Sequence, residues 1–309
     1  MAFIGAVCGD AVEEENSKDI RGKKFLLCEH KENRGSYPLL EKSSRSEEGE
    51  SAGNCNYSTK GKGAGSSETR RATFDSWLAG LIDGDGSLLV SKEGYTSCEI
   101  TLHEEDVKTL YKIKAELHGR VGKREGARAY RWRMNRREGM EELIRRINGK
   151  ILTKKRGEQL GRVCEVLGIE KKEGKLKMEE GWLAGFFDAE GHFGVMNKNT
   201  LYLSISQKER GILEEIRDKW GCGRIYYDKA GGGKYKFSIF KREDLREALE
   251  YFENNKLRTV KNQDKVTLRR LLLFMERGYH KKGSGVEERM ERIVNKFRER
   301  KKARDQKKR

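Results

Sequence analysis

The side chains best placed to do chemistry are two acids that recur at one point of a repeated stretch. Residues 77–88 read WLAGLIDGDGSL and residues 182–193 read WLAGFFDAEGHF, so the same order of residue types returns 105 positions later. The last acid is Asp85 in one copy and Glu190 in the other. Each copy reads as a short helix. Ala79-Gly80 and Ala184-Gly185 put small residues on one side of it, which lets two helix backbones approach closely and predicts a pseudo-twofold interface between the copies. Packing through these residues brings Asp85 and Glu190 side by side at two helix C-termini. Negative charge is disfavoured there, both by the helix dipoles and by mutual repulsion. Divalent cations relieve both costs, and a carboxylate pair completed by solvent and phosphate oxygens is a ligand set that hard Mg²⁺ prefers. Two such ions can stabilise the attacking and leaving oxygens of phosphodiester hydrolysis.

The elements that must position these acids follow from periodicity. Thr73 or Asp75 is the expected cap of the first motif helix, which Gly84 and Gly86 end. Strands are expected over 87–91 and 95–102 around a turn at 92–94, then a helix over 104–117 with Val107, Leu110, Tyr111 and Leu117 on its apolar stripe. A strand at 120–123, an alternating strand at 130–135 and helices over 138–147 and 156–167 close the unit. The second unit repeats this order with helices over 182–188, 209–220, 242–252 and 261–277 and strands at 192–196, 202–207, 223–227 and 234–240. The expectation is an α+β fold of two pseudo-twofold-related αββαββα halves, each a four-stranded antiparallel sheet with helices on one face. The halves are placed at 73–173 and 174–280.

Of the 309 residues, 35% are hydrophobic and 38% charged, and the net charge of +17 favours a polyanionic partner such as nucleic acid. Residues 1–72 hold 12 bases and 12 acids, and rich in Ser, Gly and charge over 43–67 they read as a disordered extension. The last 29 residues hold 13 bases and 5 acids, and they read as a solvated basic tail, helical from about Glu287, that attracts phosphate without specificity. No run approaches the length of a membrane span, so no membrane partner is expected. The six cysteines form no CxxC pair and no zinc spacing, which points to ordinary thiols in a reducing compartment. The N-terminal stretch runs from a few apolar residues straight into three glutamates. That suits neither an import nor a secretion signal, so a protein working in a chloroplast or mitochondrion is expected to be encoded there.

The repeated stretch resembles the LAGLIDADG motif of homing endonucleases in their single-chain, two-motif form. The resemblance covers about residues 73–280, including the order of elements after each motif, and leaves both ends unaccounted for. It implies that Asp85 and Glu190 bind metal and position water, with the backbone carbonyls of Gly84 and Ala189 completing the coordination. It implies two or three divalent ions, Mg²⁺ with Mn²⁺ able to substitute. Asp83 and Asp188 are expected to hold the helix ends and interface by hydrogen bonds. Gln207 sits where such enzymes place a polar residue beside the attacking water, and Lys261 matches the basic residue near the scissile phosphate. In the first half either Leu102 or His103 stands opposite Gln207, and either Lys155 or Arg156 opposite Lys261, so the two strand cleavages need not be equal.

Recognition is expected from the sheets. Tyr130, Trp132 and Met134 alternate with Arg131, Arg133 and Asn135, and Tyr235, Phe237 and Ile239 with Lys236 and Ser238. The polar faces carry residue types that read guanine and adenine in the major groove, and Arg124, Arg128 and Lys234 in adjoining loops extend them. The expected activity is that of a monomeric, intron-encoded endonuclease acting on a long, asymmetric double-stranded DNA site and leaving short 3′ overhangs. An intron RNA maturase, or a non-cleaving binding protein on the same scaffold, is the alternative, with intron RNA as partner. An EF-hand is disfavoured because positions six and twelve of the loop from Asp83 are Leu88 and Gly94, not Gly and Glu. An intein is disfavoured by the absence of splice-junction residues at either end.

Overall fold

The computed structural model describes Ser67–Lys308 apart from residues 197–199, 230–231 and 282, so the expectation for residues 1–66 falls outside the described residues. The first half comprises α1 (Ser67–Asp85), β1 (Gly86–Val90), β2 (Thr96–His103), α2 (Val107–Leu117), β3 (Arg120–Lys123), β4 (Ala129–Met134), α3 (Arg137–Ile147) and α4 (Lys154–Leu167). The second comprises α5 (Trp182–Glu190), β5 (Gly191–Met196), β6 (Thr200–Gln207), α6 (Arg210–Trp220), β7 (Arg224–Asp228), β8 (Lys234–Ile239), α7 (Arg242–Asn254) and α8 (Lys261–Glu276). A last helix, α9 (Glu287–Lys308), follows. Each half is a four-stranded antiparallel sheet, ordered β1-β2-β4-β3 and β5-β6-β8-β7. The register is the same in both, with Gly86 opposite Ile100 and Gly191 opposite Ile205.

Strand alternation decides what each sheet buries. Along β2, Thr96, Cys98, Ile100 and Leu102 point inward and the residues between them outward, and Trp132 and Met134 of β4 complete the inner face. The helices cover that face with apolar stripes, such as Met140, Leu143, Ile144 and Ile147 of α3. α4 and α6 end on the left-handed glycines Gly168 and Gly221, whose N–H groups bond back into the last turn.

The structure corrects three sequence expectations. First, α1 begins at Ser67, so neither Thr73 nor Asp75 caps it. The Thr73 hydroxyl instead donates to the carbonyl of Thr69 four residues back, and Asp75 is buried beside Arg146. Second, residues 104–106 form a 3₁₀ turn, which rotates the α2 stripe to Thr109, Leu110, Ile113 and Leu117 and leaves Tyr111 52% exposed. Third, the basic tail is not merely solvated. α9 starts where its pattern places it, but Met290, Val294 and Phe297 are buried against the fold.

The two halves also complete each other's helices. The Asp106 carboxylate accepts the N–H of Val260 at the start of α8 (2.7 Å). Reciprocally, Glu209 accepts the N–H groups of Lys154 (2.9 Å) and Lys155 (3.3 Å) at the start of α4. Helix N-termini leave such donors without an intrahelical partner, so an acid from the opposite half satisfies them.

Candidate active site

α1 and α5 meet backbone to backbone. A Cβ on Gly80 would lie 2.0 Å from the carbonyl oxygen of Trp182, and one on Gly185 would lie 1.8 Å from that of Trp77. The flanking Ala79 and Ala184 are fully buried. Crossing at this distance lets the tryptophan that opens each motif reach the inner aspartate of the other. Trp77 Nε1 donates to Asp188 and Trp182 Nε1 to Asp83, both at 2.9 Å. Asp83 also accepts from the N–H of Leu152 and from the N–H and hydroxyl of Thr153. Asp188 accepts the equivalent set from Arg258 and Thr259. Burial pushes the Asp83 carboxyl up to about 6, and Asp188 upward as well, against the pull of these hydrogen bonds. Trp77→Phe or Trp182→Phe removes one bond to a carboxylate while keeping the ring's bulk. Either is expected to cost about 1.5–3 kcal/mol in urea unfolding, with nearly equal effects for the two positions.

Past the aspartates the helices open onto a cleft that both Asp85 and Glu190 line. A Cβ on Gly84 would sit 2.2 Å from the Ala189 Cβ and 3.2 Å from Glu190 Cγ, so the motif ends are in contact. Burial raises the Glu190 carboxyl above its ordinary range, opposed by the positive charges of Lys234, Lys261 and Arg156. Cations already serve the helix ends. Lys261 Nζ donates to the carbonyls of Phe187 (3.1 Å), Asp188 (2.7 Å) and Ala189 (2.8 Å). Arg156 does the same in the first half, donating to Ile82 (3.0 Å) and Gly84 (3.4 Å). The structure thus places Arg156, not Lys155, opposite Lys261; Lys155 is exposed. The shared register makes Leu102, not His103, the counterpart of Gln207. Gln207 is half-buried and its side-chain oxygen accepts the N–H of Lys208 (2.7 Å). Among the described residues no cluster of three or more His, Cys, Asp or Glu forms a protein-only metal cage. A desolvated carboxylate beside a second one at two helix C-termini nevertheless suits a hard divalent ion that takes its remaining oxygens from water and substrate.

The outward sheet faces depart further from expectation. Arg131 (3.0 Å) and Arg133 both pair with Glu99 on the neighbouring strand, and Arg128 pairs with Glu104. Arg124 and Asn135 are exposed, and Lys236 is half-buried. The positive charge of Lys234, at the start of β8, favours the charged form of Glu190. Ser238 is only 1% exposed and therefore is not a surface residue; its hydroxyl lies 3.4 Å from the Tyr226 hydroxyl. The reason is that aromatic rings pave this part of the sheet. Tyr202 lies over Gly194, where a Cβ would meet its ring at 2.2 Å, and packs 5.6 Å from Phe240.

The sequence pattern of the LAGLIDADG endonuclease family matches residues 78–167 and 183–271, taking in both motifs and most of both halves. The chain belongs to that family. The intron-encoded RNA maturase bI4 of Saccharomyces cerevisiae is 41% identical over 177 residues, covering 55% of this chain and 28% of that protein. The intron-encoded DNA endonuclease ai2b of Dictyostelium discoideum is 32% identical, covering 60% of this chain and 74% of that one. The chain therefore spans less than a third of the maturase and about three quarters of the amoebal enzyme. The LAGLIDADG meganuclease I-AabMI, solved bound to uncleaved DNA, shares the fold with a TM-score of 0.59 at 20% identity, over 72% of this chain and 98% of that one.

For a LAGLIDADG chain, the residues that sequence reasoning missed are the partners of the motif rather than the motif itself. Thr153 and Thr259 each stand two or three residues before the basic residue that reaches a helix end, as TKKR and TVK, and that recurrence is a readable signal. Glu99 and the Tyr202–Phe240 pair carry no such mark, because only strand register shows what they face.

Proposed function

We propose that the protein is a divalent-metal-dependent, site-specific endonuclease that hydrolyses one phosphodiester in each strand of a long, asymmetric DNA duplex. The observation that carries this reading is the convergence of Asp85 and Glu190 on one cleft at the ends of two helices locked together through Gly80 and Gly185. Asp85 and Glu190 would hold Mg²⁺; the Gly84 and Ala189 carbonyls already accept from Arg156 and Lys261, so either would reach a metal only through its second lone pair. When bound, the metal activates water and stabilises charge on the attacking and leaving oxygens. Lys261 and Arg156 neutralise the carbonyl ends of the helices, which lowers the cost of crowding phosphate against two acids. Gln207 lies at the end of β6, where a polar group can orient water. Arg124, Arg128, Arg131, Arg133, Asn135, Lys234 and Lys236 supply duplex contacts, with Glu99 holding Arg131 and Arg133 ready between the strands.

The names of the relatives support an origin inside an intron, and we assign the gene to a mitochondrial or chloroplast intron. Maturation of the host intron's RNA is the second reading, favoured by the likeness to the yeast maturase. Among the described residues no helix is long and apolar enough to cross a membrane. One chain supplies both acids, so a monomer suffices.

The test is incubation of the purified protein with Mg²⁺ and a plasmid carrying the intronless host-gene junction. A linear product that is lost with EDTA and restored by Mg²⁺ or Mn²⁺ is the expected result. Tight binding with no cut, or binding to intron RNA alone, moves the assignment to the maturase reading. Duplex affinity is expected to fall by about 10³-fold or more between 50 and 200 mM salt if six or more phosphates are contacted, as read by fluorescence anisotropy.

A further inference from the structure

α9 lies outside both segments that match the family, yet its Lys301 and Arg304 line the cleft that holds Asp85 and Glu190. Its buried Met290, Val294 and Phe297 anchor it, and it runs back along α8 toward that helix's start. There Arg304 donates to Asp264 (2.9 Å) and to Glu105 of the first half (3.1 Å). One turn earlier, Lys301 Nζ lies 3.5 Å from Asp264 and 3.2 Å from His192 Nδ1. Lys261, Lys301 and Arg304 thus line the same wall.

The two halves show why this side needs added charge. Register makes His103 the counterpart of Lys208, and the reciprocal helix caps make Asp106 the counterpart of Glu209. Between those points the first half carries two additional acids, Glu104 and Glu105. The strand end facing Lys261 therefore reads His-Glu-Glu-Asp where the other reads Lys-Glu. Glu104 is neutralised by Arg128 within its own half, but Glu105 and the buried Asp264 are neutralised from α9. A phosphate approaching these carboxylates without α9 would be repelled. On the Arg156 side, α4 leads into the connection to α5, so among the described residues that side has no equivalent of α9.

We propose that α9 is a strand-specific part of the cleavage machinery: Arg304 neutralises Glu105 and Asp264, and Lys301 adds a phosphate-binding charge to the Lys261 side of the cleft alone. The inference rests on the endonuclease reading and deepens it. The cleavage of one strand depends on α9, and that of the other does not.

The test follows each strand separately, using the full-length chain, Mg²⁺ and a target duplex labelled first on one strand and then on the other. For Lys301→Met/Arg304→Met, cleavage of one strand is expected to slow by at least about tenfold, a conservative figure for losing electrostatic stabilisation at a reacting phosphate. The other strand keeps its rate and nicked duplex accumulates. Lys301→Met alone, which leaves the Arg304 ion pairs intact, shows the same bias more weakly. Adding Glu105→Gln to the double variant recovers part of the lost rate, which a purely structural role of α9 would not allow. An equal loss on both strands, no loss, or faster cleavage because α9 acts as a plug each overturns the proposal while leaving the endonuclease reading intact. A wild-type protein that cuts neither strand removes both.

Discussion

Gly185→Ala is expected to yield little or no folded protein, and Gly80→Ala to behave almost as badly. The new methyl at 185 meets the Trp77 carbonyl oxygen at 1.8 Å and that at 80 meets the Trp182 carbonyl oxygen at 2.0 Å. These are backbone atoms inside helices, so neither can swing aside as a side chain would. Relief requires α1 and α5 to move apart. Overpacking alone costs about 1–3 kcal/mol, and separation also breaks the two Trp–Asp bonds between the helices, with buried donors left unpaired at about 1–3 kcal/mol each. Together these approach the whole stability of an ordinary domain. Gly211→Ala is the matched control. It lies in α6 with open space where its Cβ would go, so alanine there is expected to stabilise by up to about 1 kcal/mol through helix propensity. Urea unfolding that showed the same small change at 185 and 211 would refute the close helix crossing.

Asp85→Asn and Glu190→Gln are each expected to reduce cleavage by at least about a hundredfold, since losing a carboxylate loses a hold on the metal's charge stabilisation. Both changes keep side-chain size, so folding should survive. Duplex binding measured without metal should be equal or tighter, because each change removes a negative charge that would face phosphate. Cleavage that persisted in either variant would take the metal away from that residue. A fall in binding parallel to the fall in cutting would point to recognition in place of chemistry.

What was legible in advance was whatever a short window of sequence determines. The alternation around Trp132 and Met134 and the apolar spacing of α3 are local, and the structure follows them. The motif repeat is visible because identical chemistry recurs, and its small residues mark the helix faces on which Gly80 packs against Trp182 and Gly185 against Trp77. Choices decided across long separations were not legible. Whether Lys155 or Arg156 reaches the end of α1 depends on how α4 starts, and an acid from the other half sets that start. Ser238 reads as a surface residue until Tyr226 is brought over it from the next strand. The tail shows only an excess of lysine and arginine, since three buried residues among the 18 of α9 whose burial is described are a faint stripe. Tyr111 falls off the apolar stripe because the 3₁₀ turn over residues 104–106 comes before α2 begins.

The exchange of caps between Asp106 and Val260, and between Glu209 and Lys154, has a consequence for how the chain is made. The first motif helix is translated 105 residues ahead of the second. At about 5–20 residues per second, the nascent first half waits roughly 5–20 s before its partner helix exists. For that interval the face around Gly80 is uncovered and the start of α4 lacks the acid that completes it. The ribosome thus presents a half-built protein with a sticky seam, and overproduction is where that delay will show, as co-translational aggregation that slower synthesis at lower temperature does not cure but bound chaperone does.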